Sequence, residues 1–464
     1  MNTNNKPKVF IPDHTTLNDP EILAMVQSMY SRSAMGIEER LADLNEGDAE
    51  LKQDKIKKSL KTYYLDYGHA SIADCANVPV FIEGVSMLAA KALQDSPLYN
   101  GQERSTRYQD FSTVPFYAES KFSKIIVEKW RALYKAYLPK IEEWVLQEYA
   151  DKRELIQPQV SNDMTQEQLA VYQTKQDALW VKTCKAIAFD IARGLLPCGA
   201  TTSLSMYMSL RKYRDHLTEL STHPLGEVRT LALRINDDLY ARYPNTFRPI
   251  RLQGIGTARN FYLTRKVPNA RSHAWVEDHI QLDKTGTMQY LANGDDTLWF
   301  GIAGGIDFGS YRDLQRHRNG KNQMPLVNAR NGNINAFYSR ILKAVDFDLY
   351  QQVLDIYDQL IANTDFASSS VVELQYAHPM MTQVPTGHFW SLGQLKYVMA
   401  LRSKTSVHPT LREWCNSLYG KLSIDWASKL DMDHRGDYEQ SNRGEQDLKR
   451  KPAKVDELNG EELS

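Results

Sequence analysis

Cysteine is scarce in this chain, and its cysteines lie far apart. The four are Cys75, Cys184, Cys198 and Cys415, among 464 residues. None forms a Cys-x-x-Cys pair, and no spacing of histidine and cysteine suits zinc, so the sequence predicts no metal site. Scattered cysteines are typical of a reducing compartment, and we expect the protein in the cytoplasm.

Long apolar runs and an excess of charge of one sign are also missing. No run reaches the roughly eighteen apolar residues of a membrane-spanning helix, and the start MNTNNKPKVFIPDH lacks the apolar core of a signal peptide. The 56 basic residues nearly cancel the 57 acidic ones. A balanced charge gives no general attraction for nucleic acid or anionic membrane, so we expect neither as a partner.

What is present is the composition of a folded protein. Hydrophobic residues make up 42% and charged residues 24% of the chain, which excludes a disordered or fibrous protein. The length predicts two or three domains. Residues 431–464 are polar and dense in charge, and we expect a flexible tail there without a catalytic role.

Apolar periodicity predicts a mixed α and β protein. The predicted helices cover residues 20–43, 50–66, 122–149, 165–194, 204–220, 226–241, 335–362, 390–402 and 408–420. Asn18 or Asp19 is expected to cap the first helix just before Pro20, and Pro139 to kink or divide the longest one. Residues 78–82 suit a strand or the middle of a helix, and we favour a strand. Residues 297–306 predict a strand that enters a glycine-rich bend.

The first string with chemical content is PLYNGQERSTRYQDFS, residues 97–112. Asn-Gly marks a turn, and Glu103, Ser105 and Arg107 follow at alternate positions, with Thr106 between the last two. A bent segment of this kind could direct backbone amides, a hydroxyl and a guanidinium at one phosphate. An ordinary polar loop is the alternative.

The second string is SYRDLQRHRNGKNQMP, residues 310–325. Arg316, His317 and Arg318 place three potential cations within one turn of chain, where they could neutralise a pyrophosphate. A solvated surface patch is the alternative.

Together the two strings resemble the signature R-H-R-x-x-S-x-N-E-x-S-x-R of the flavin-dependent thymidylate synthases. The second string keeps the Arg-His-Arg front, and the first keeps the Glu-x-Ser-x-Arg back. The missing parts are replaced by Asp95, Ser96 and Pro97 in the first half of the chain, and by Met324, Leu326 and Asn328 in the second half. The losses are therefore complementary.

Further segments are similar to the same family. GHASIAD at 68–74 resembles its Gly-His-Glu-Ser segment at His69 and Ser71, and ARGLLP at 192–197 resembles its A-R-x-x-L-P element, which supplies Arg193. Arg211 in the first half and Arg402 in the second match two further arginines of the family. The other half has different residues at these places, which are Gln375 for Arg193, Gly393 for Arg211 and Leu220 for Arg402.

The resemblance implies an α+β fold of two tandem flavin-dependent thymidylate synthase-like domains, each a mixed sheet with flanking long helices, that form a pseudo-dimer. Half one is placed at 1–255, half two at 256–430 and the tail at 431–464. The family builds each active site between subunits of a homotetramer, so two fused halves need only one copy of each element at a hybrid site. We expect a homodimer of the chain that restores four lobes.

The implied reaction is the reductive methylation of dUMP to dTMP with FAD, NADPH and methylenetetrahydrofolate. The resemblance assigns nucleotide binding to Glu103, Ser105, Thr106, Arg107, Arg193 and Arg402, and of these Arg193 and Arg402 are the catalytic candidates, because a fixed positive charge can stabilise negative charge on the pyrimidine. It assigns FAD contacts to Arg316, His317, Arg318, His69, Ser71, Gln102 and Arg211.

Some positions depart from the family pattern. Asp313 replaces a glutamine three places before Arg-His-Arg, Gln102 replaces an asparagine, and Ser209 and Asp215 replace asparagines near the flavin. Two other functions therefore stay open, a flavoenzyme that acts on another pyrimidine nucleotide and a nucleotide-binding or scaffold protein without turnover.

Three further residues are assigned structural roles. The family needs no cysteine nucleophile, so Cys198 is interpreted as a small buried residue. His223 and His408, which start the similar strings THPLGEVRTLA and VHPTLREWCNS, are interpreted as caps or packing residues.

Overall fold

A computed structural model describes the chain from Asp19 to His434 with internal gaps. The described residues are 19–31, 35–45, 48–66, 70–106, 109–150, 165–250, 275–278, 299–327, 333–364, 370–422 and 424–434. The tail predicted at 431–464 lies almost wholly outside them. No helix within these ranges combines the length and the apolar content needed to cross a lipid bilayer.

The structure mixes helices and strands, which confirms the mixed α and β class. The longer helices are α1 Pro20–Tyr30, α2 Ile37–Asn45, α3 Ala49–Leu60, α4 Met87–Gln94, α5 Lys121–Glu148, α6 Gln166–Ala192, α7 Leu210–Leu220, α8 Gly226–Arg242, α9 Phe308–Leu314, α10 Ala336–Val345, α11 Phe347–Asn363, α12 Leu392–Arg402 and α13 Pro409–Tyr419. The strands are β1 Asn77–Ser86, β2 Thr201–Ser209, β3 Trp275–Asp278, β4 Trp299–Asp307, β5 Gly320–Gln323 and β6 Gln383–Ser391. One sheet pairs β1 with β2, and the other has the order β3-β4-β6-β5.

Local sequence signals explain several helix starts. Asp19 caps α1, because its side chain accepts hydrogen bonds from the amides of Glu21 at 2.9 Å and Ile22 at 3.3 Å, and Pro20 fills the first turn. The predicted helix at 20–43 is two helices, α1 and α2. Pro139 lies inside α5, which runs unbroken past it, so the expected division of that helix is wrong.

Two strand predictions have different outcomes. The strand favoured at 78–82 is confirmed as part of β1. Of the region 297–306, the described residues from Trp299 onward lie in β4, and the glycines do not make a bend, because Gly301, Gly304 and Gly305 all pair with β6 inside the strand. The helix predicted at 204–220 begins only at Leu210, since residues 201–209 form β2.

The described residues form two compact units. Unit 1 comprises Met1–Glu83, Leu98–Glu103 and Ser203–Tyr262, and unit 2 comprises Gly84–Pro97, Arg104–Thr202 and Leu263–Ser464. Each unit is assembled from separate stretches of chain, so the units are not the two halves proposed from the sequence. Those halves are defined by resemblance and stay a prediction.

Unit 1 contains a small helical core. Ile22 and Val26 of α1 pack with Leu41 and Leu44 of α2, and all four side chains are buried. Their three- and four-residue spacing is the apolar stripe of a surface helix. The chain then passes through a π-helix at Lys61–Asp66 and a 3-10 helix at Ala70–Cys75 into β1.

Two segments 182 positions apart pair with each other inside unit 2. Pro197 and Pro379 form an antiparallel bridge. Beside it, the amides of Cys198 and Met380 each donate to a carbonyl of the opposite segment, at 2.7 and 2.8 Å. Cys198 and Met380 are themselves 182 positions apart, so a local two-fold relation exchanges the two hydrogen bonds.

The same relation extends to the starts of two helices in unit 2. The amide of Met87 at the start of α4 donates to the Ala200 carbonyl at 3.0 Å. The amide of Phe308 at the start of α9 donates to the Thr382 carbonyl at 3.1 Å. Ala200 and Thr382 are 182 positions apart, and Met87 and Phe308 are 221 apart. These are the two offsets between the halves that the motifs give, 182 from Arg193 to Gln375 and 221 from Asp95 to Arg316.

Candidate functional site

The turn after α9 and the end of α12 meet in unit 2. Arg402, the last residue of α12, donates from Nε to Nε2 of His317 at 2.8 Å. Its Nη2 donates to the backbone carbonyl of Asp313 at 2.9 Å. On the other side of the imidazole, the Gln394 amide lies 3.4 Å from Nδ1. Two residues assigned separately from the sequence, His317 and Arg402, therefore form one hydrogen-bonded pair.

Strands β5 and β6 hold this turn in place. The side chain of Asn322 in β5 donates to the His317 carbonyl at 2.7 Å. The oxygen of the same amide lies 2.9 Å from Nδ1 of His388 and 3.0 Å from Nε1 of Trp390, both on β6. The side-chain oxygen of Asn322 is thus bound to β6 and its nitrogen to the turn, which gives His317 a rigid support.

His317 is a neutral base rather than a third cation. Its side chain is buried, and burial followed by the charge of Arg402 lowers the pKa of His317 to about 3. Arg316 is exposed and Arg318 is half-buried, so these two carry the positive charge of the Arg-His-Arg string. The expectation of three cations in one turn is therefore wrong, because the imidazole accepts a hydrogen bond from a guanidinium.

Arg193 lies buried beside this pair. It begins the 3-10 helix at Arg193–Leu195 that follows α6, and only 3% of the residue is exposed. Its Nη1 lies 3.6 Å from Oδ2 of Asp313, whose carbonyl holds Arg402. Nε and Nη2 of Arg193 have no hydrogen-bond partner among the described residues. Asp313 therefore connects Arg193 with Arg402.

A buried carboxylate balances the charge of Arg193. Burial alone would lower the pKa of Arg193, but the neighbouring Tyr338 hydroxyl and nearby carboxylates, including Asp307, raise it overall. Asp307 caps α9 by accepting from the Ser310 amide at 3.1 Å, and it also accepts from the Thr410 hydroxyl at 2.9 Å. Burial raises the pKa of Asp307 to about 6, with Arg193 acting in the opposite direction. No motif marked Asp307 or Tyr338, since their role depends on a fold that joins distant segments.

The positions that replace Arg-His-Arg in half one lie next to the intact copy. Asp95 accepts from Nε2 of Gln315 at 2.6 Å and from Lys91 at 2.6 Å. Ser96 and Pro97 line a cavity of about 10 Å³ with residues of the intact copy, including Arg318. A cavity of this size has room for about one water molecule and is too small for a nucleotide or a flavin.

The Glu103 string begins as an extended segment in unit 1. Asn100 and Glu103 form antiparallel bridges to Tyr207 and Leu204 of β2. Asn100 and Gly101 therefore do not make the predicted turn. Gly101 is needed for close approach, because an added Cβ would lie 1.9 Å from the backbone oxygen of Ser205. Gln102 is exposed, and its backbone N–H donates to the Ser205 hydroxyl at 3.1 Å.

Arg211 belongs to an ion-pair cluster in unit 1. Its Nη1 donates to Asp74 at 2.7 Å, and its Nε lies 3.6 Å from Asp215. Ser209, the cap of α7, lies 3.4 Å from the same Asp74 carboxylate. Ser71 is exposed on the 3-10 helix that carries Asp74. The structure thus places Ser71 and Arg211 around Asp74, a residue that the sequence analysis missed within GHASIAD.

Other predicted residues are placed less fully. His69 and Arg107 lie outside the described residues. Ser105 is half-buried and Thr106 is buried, both in unit 2. Two cavities lie in unit 1. The first, of about 940 Å³, is lined by residues of β1 and α8, and the second, of about 820 Å³, is lined by residues that include Arg214. Neither is lined by a predicted site residue.

The structural roles assigned from the sequence are confirmed. Cys198 is fully buried, and burial raises the pKa of its thiol, which opposes a nucleophilic role. Nδ1 of His223 accepts from the Leu225 amide at 3.1 Å, and Nδ1 of His408 accepts from the Thr410 amide at 3.3 Å. His408 is the N-cap of α13, whereas the N-cap of α8 is Leu225, so His223 is a buried residue of the turn before that helix.

Replacing His378 by phenylalanine is expected to stabilise the protein. His378 is fully buried, and neither ring nitrogen has a partner among the described residues, an arrangement that costs about 1–3 kcal/mol. Burial lowers the pKa of His378 to about 4, below its unfolded value, so the unfolded state binds the extra proton and stability falls as pH drops from 6.5 towards 4. The increase in the free energy of unfolding of His378→Phe over the wild type, measured by urea unfolding, should therefore be larger at pH 5 than at pH 7.5.

The matched control for His378 is His388, whose pKa burial lowers to about 3 but whose two ring nitrogens contact Asn322 and Thr386. His388→Phe should destabilise at pH 7.5. Equal effects of the two substitutions would contradict the contacts described.

Comparisons with known proteins agree with the motifs. A model of the family described as "Thymidylate synthase complementing protein" matches residues 11–245. A protein named UPF0159 protein from Chlamydia muridarum is 22% identical, with 90% of this chain and 89% of that protein covered. A UPF0159 protein from Chlamydia pneumoniae is also 22% identical, with 85% and 86% covered. Relatives that align over nearly their whole length thus include the second half, which the family model does not match.

Proposed function

The chain belongs to the thymidylate synthase complementing protein family, and we propose that it is a flavin-dependent thymidylate synthase with a hybrid active site. The proposed reaction is the reductive methylation of dUMP to dTMP. When bound, FAD would supply the hydride chemistry with NADPH as the donor, and methylenetetrahydrofolate would supply the carbon. The protein binds, orients and polarises the nucleotide.

The observation that carries the proposal is the cluster of Arg193, Asp313, His317 and Arg402, in which the first three are buried and Arg402 is half-buried. Arg193 comes from the first half of the sequence and the other three from the second. Each half lacks one of the two arginines, since Gln375 and Leu220 stand at the matching positions. The cluster combines one arginine from each half. It therefore supports the interpretation that each half has kept the arginine that the other half lost, rather than that the site has degenerated.

The repeated architecture supports the tandem arrangement. β2 and β6 each span nine residues and begin 182 positions apart, and the helices α7 and α12 that follow them each span eleven. Unrelated segments would not be expected to share these element lengths, the same 182-residue offset and the exchanged hydrogen bonds around Pro197 and Pro379. We therefore propose halves at 1–255 and 256–430 and a homodimer as the working assembly.

The described donors fit an anionic ligand with a polar ring. Arg316 is exposed, and Arg318 is half-buried beside it, so their guanidinium groups suit the pyrophosphate of FAD. The unpartnered Nε and Nη2 of Arg193 suit a ring oxygen or phosphate. The remaining proposed FAD contacts are His317, His69, Ser71, Gln102 and Arg211, and the proposed nucleotide contacts are Glu103, Ser105, Thr106, Arg107 and Arg402.

Arg402 and Arg193 would act by fixed charge. Both guanidinium groups are held by the protein before substrate binds, so they need no reorganisation as negative charge develops on the pyrimidine. Glu103 would orient the nucleotide, and Ser105 with Arg107 would bind its phosphate.

A test of the proposal uses the purified full-length chain. We expect flavin absorbance bands after incubation with FAD, a spectral change when dUMP is added, and tritium release from dUMP labelled at C5 in the presence of methylenetetrahydrofolate and NADPH. Arg402→Ala should retain the flavin spectrum but lose tritium release by about 10²-fold or more. A protein that takes up no FAD would instead indicate a scaffold or nucleotide-binding role.

Asp313 favours a second candidate substrate. Its carboxylate stands at the position of a family glutamine and reaches into the cluster at 3.6 Å from Arg193. A carboxylate accepts hydrogen bonds but donates none, so it suits the exocyclic amino group of a cytosine better than a carbonyl. Comparing dUMP with dCMP in the same tritium assay, for the wild type and for Asp313→Gln, decides between the two nucleotides.

A further inference from the structure

The Arg402–His317 hydrogen bond fixes where the imidazole carries its proton. Arg402 is always protonated, so its Nε–H donates and Nε2 of His317 must accept, over 2.8 Å. A neutral imidazole has one N–H, which must then be on Nδ1. That N–H faces the side-chain amide of Gln394, whose nitrogen lies 3.4 Å from Nδ1. Turning this amide by half a turn exchanges its nitrogen and oxygen, so that the oxygen accepts from Nδ1–H.

The surroundings of His317 keep this tautomer. Its ring packs edge-on against Tyr397, with centroids 5.6 Å apart. The charged and titratable groups that face it are Arg402 and Tyr397 from α12, Asp313 from α9, Arg316 and Arg318 from its own turn, and His388 from β6. Protonation at Nε2 would place two donors and two positive charges against each other, so the Arg402 contact requires the neutral ring.

We propose that His317 is a positioning residue that sets the plane of the Arg402 guanidinium. Nε of Arg402 is held by His317, and Nη2 is held by the Asp313 carbonyl, so two fixed acceptors define the orientation of a planar group. A flexible arginine at a helix end would otherwise sample several rotamers. The inference rests on the proposed function for the catalytic role of Arg402, but the contact itself does not.

Two substitutions separate positioning from a general structural role. His317→Gln places an amide oxygen near the position of Nε2 and keeps an acceptor for Arg402. His317→Asn places its amide near Nδ1 and leaves Arg402 without that acceptor. Both replace the ring by an uncharged amide in the same buried place, so loss of ring packing affects both.

The first measurement is independent of turnover. The full chain, without added nucleotide or flavin, is treated with phenylglyoxal, and modification of Arg402 is followed by mass spectrometry. We expect Arg402 to be modified at least several-fold faster in His317→Asn than in the wild type, with His317→Gln close to the wild type. Equal rates in all three proteins would overturn the proposal, whatever reaction the protein catalyses.

The second measurement uses the holoenzyme with dUMP. A misplaced catalytic group costs on the order of 10²-fold, so His317→Asn should lower kcat by about that factor, and His317→Gln by at least tenfold less. The KM for methylenetetrahydrofolate should change little. Equal losses of kcat in the two variants would overturn the proposal, whereas failure of the proposed function would show as no turnover in the wild type.

Gln394→Leu provides a second route if His317→Asn does not fold. It removes the partner of Nδ1 and leaves His317 in place, so the imidazole ring loses the contact that holds it opposite Arg402. Faster modification of Arg402 than in the wild type is expected, and an unchanged rate counts against the proposal.

Discussion

Replacing Arg193 by alanine is expected to lower the free energy of unfolding by about 3–5 kcal/mol at pH 7.5, the cost of removing one partner from a buried group of charges. Arg193 is 3% exposed, and carboxylates of Asp307 and Asp313 lie beside it. Without the guanidinium, Asp307 would be buried without the counter-charge that Arg193 provides. The midpoint of urea unfolding measures the loss.

The pH dependence of this loss identifies the mechanism. The pKa of Asp307 is raised to about 6, above its unfolded value, so the native state binds more protons and stability falls as pH rises from 3.8 towards 6. Removing Arg193, which acts to lower that pKa, should extend the fall to higher pH. The stability difference between Arg193→Ala and the wild type should therefore shrink at pH 5.

Two controls accompany Arg193→Ala. Arg234→Ala, on the exposed face of α8, should cost less than about 0.5 kcal/mol. Arg193→Gln introduces the residue found at the matching position of the second half, where Gln375 hydrogen-bonds the backbone of Val327 and Val371. A pH-independent loss in Arg193→Ala would show that lost packing, rather than unpaired charge, is responsible.

Much of the fold could be predicted from the sequence because its periodicity is local. The strand at β1 and most helices follow from apolar spacing, and the cap at Asp19 follows from an acid placed before Pro20. The strand β2 was missed although Leu204, Met206 and Met208 alternate with polar or exposed residues, a period-two pattern that indicates a strand. Because residues 210–220 have helical spacing, the predicted helix is extended back to residue 204 and covers the strand.

The candidate site could be predicted only as a set of residue types. The motifs identified Arg193, His317 and Arg402, but the contact between His317 and Arg402 joins residues 85 positions apart. Burial then turns the histidine from a potential cation into an acceptor. Neither the separation nor the burial is visible in the local string, which is why three charges were expected where two are present.

Replacing Gly199 by alanine is expected to destabilise the protein by about 3 kcal/mol or more, above the usual cost of an overpacked core position. Gly199 donates to the Tyr376 carbonyl at 2.8 Å and accepts from the Tyr117 amide at 2.7 Å. An added Cβ would lie 2.2 Å from the Tyr117 oxygen and 2.9 Å from the Tyr376 oxygen. Both obstacles are backbone atoms, so relief requires the paired segments to separate.

The matched control is Gly387→Ala in β6, where the nearest atom to the new Cβ, the Cβ of Gln323, lies 3.9 Å away. It should change the urea midpoint little. The equivalent of Gly199 in the second half is Met381, so the local two-fold relation is kept by backbone hydrogen bonds while its side chains differ. Because this pairing also holds the 3-10 turn that carries Arg193, where the Met381 amide donates to the Gly194 carbonyl at 3.0 Å, Gly199→Ala should lose the proposed activity in step with stability. A variant as stable as Gly387→Ala would mean that the two segments do not pack as closely as described.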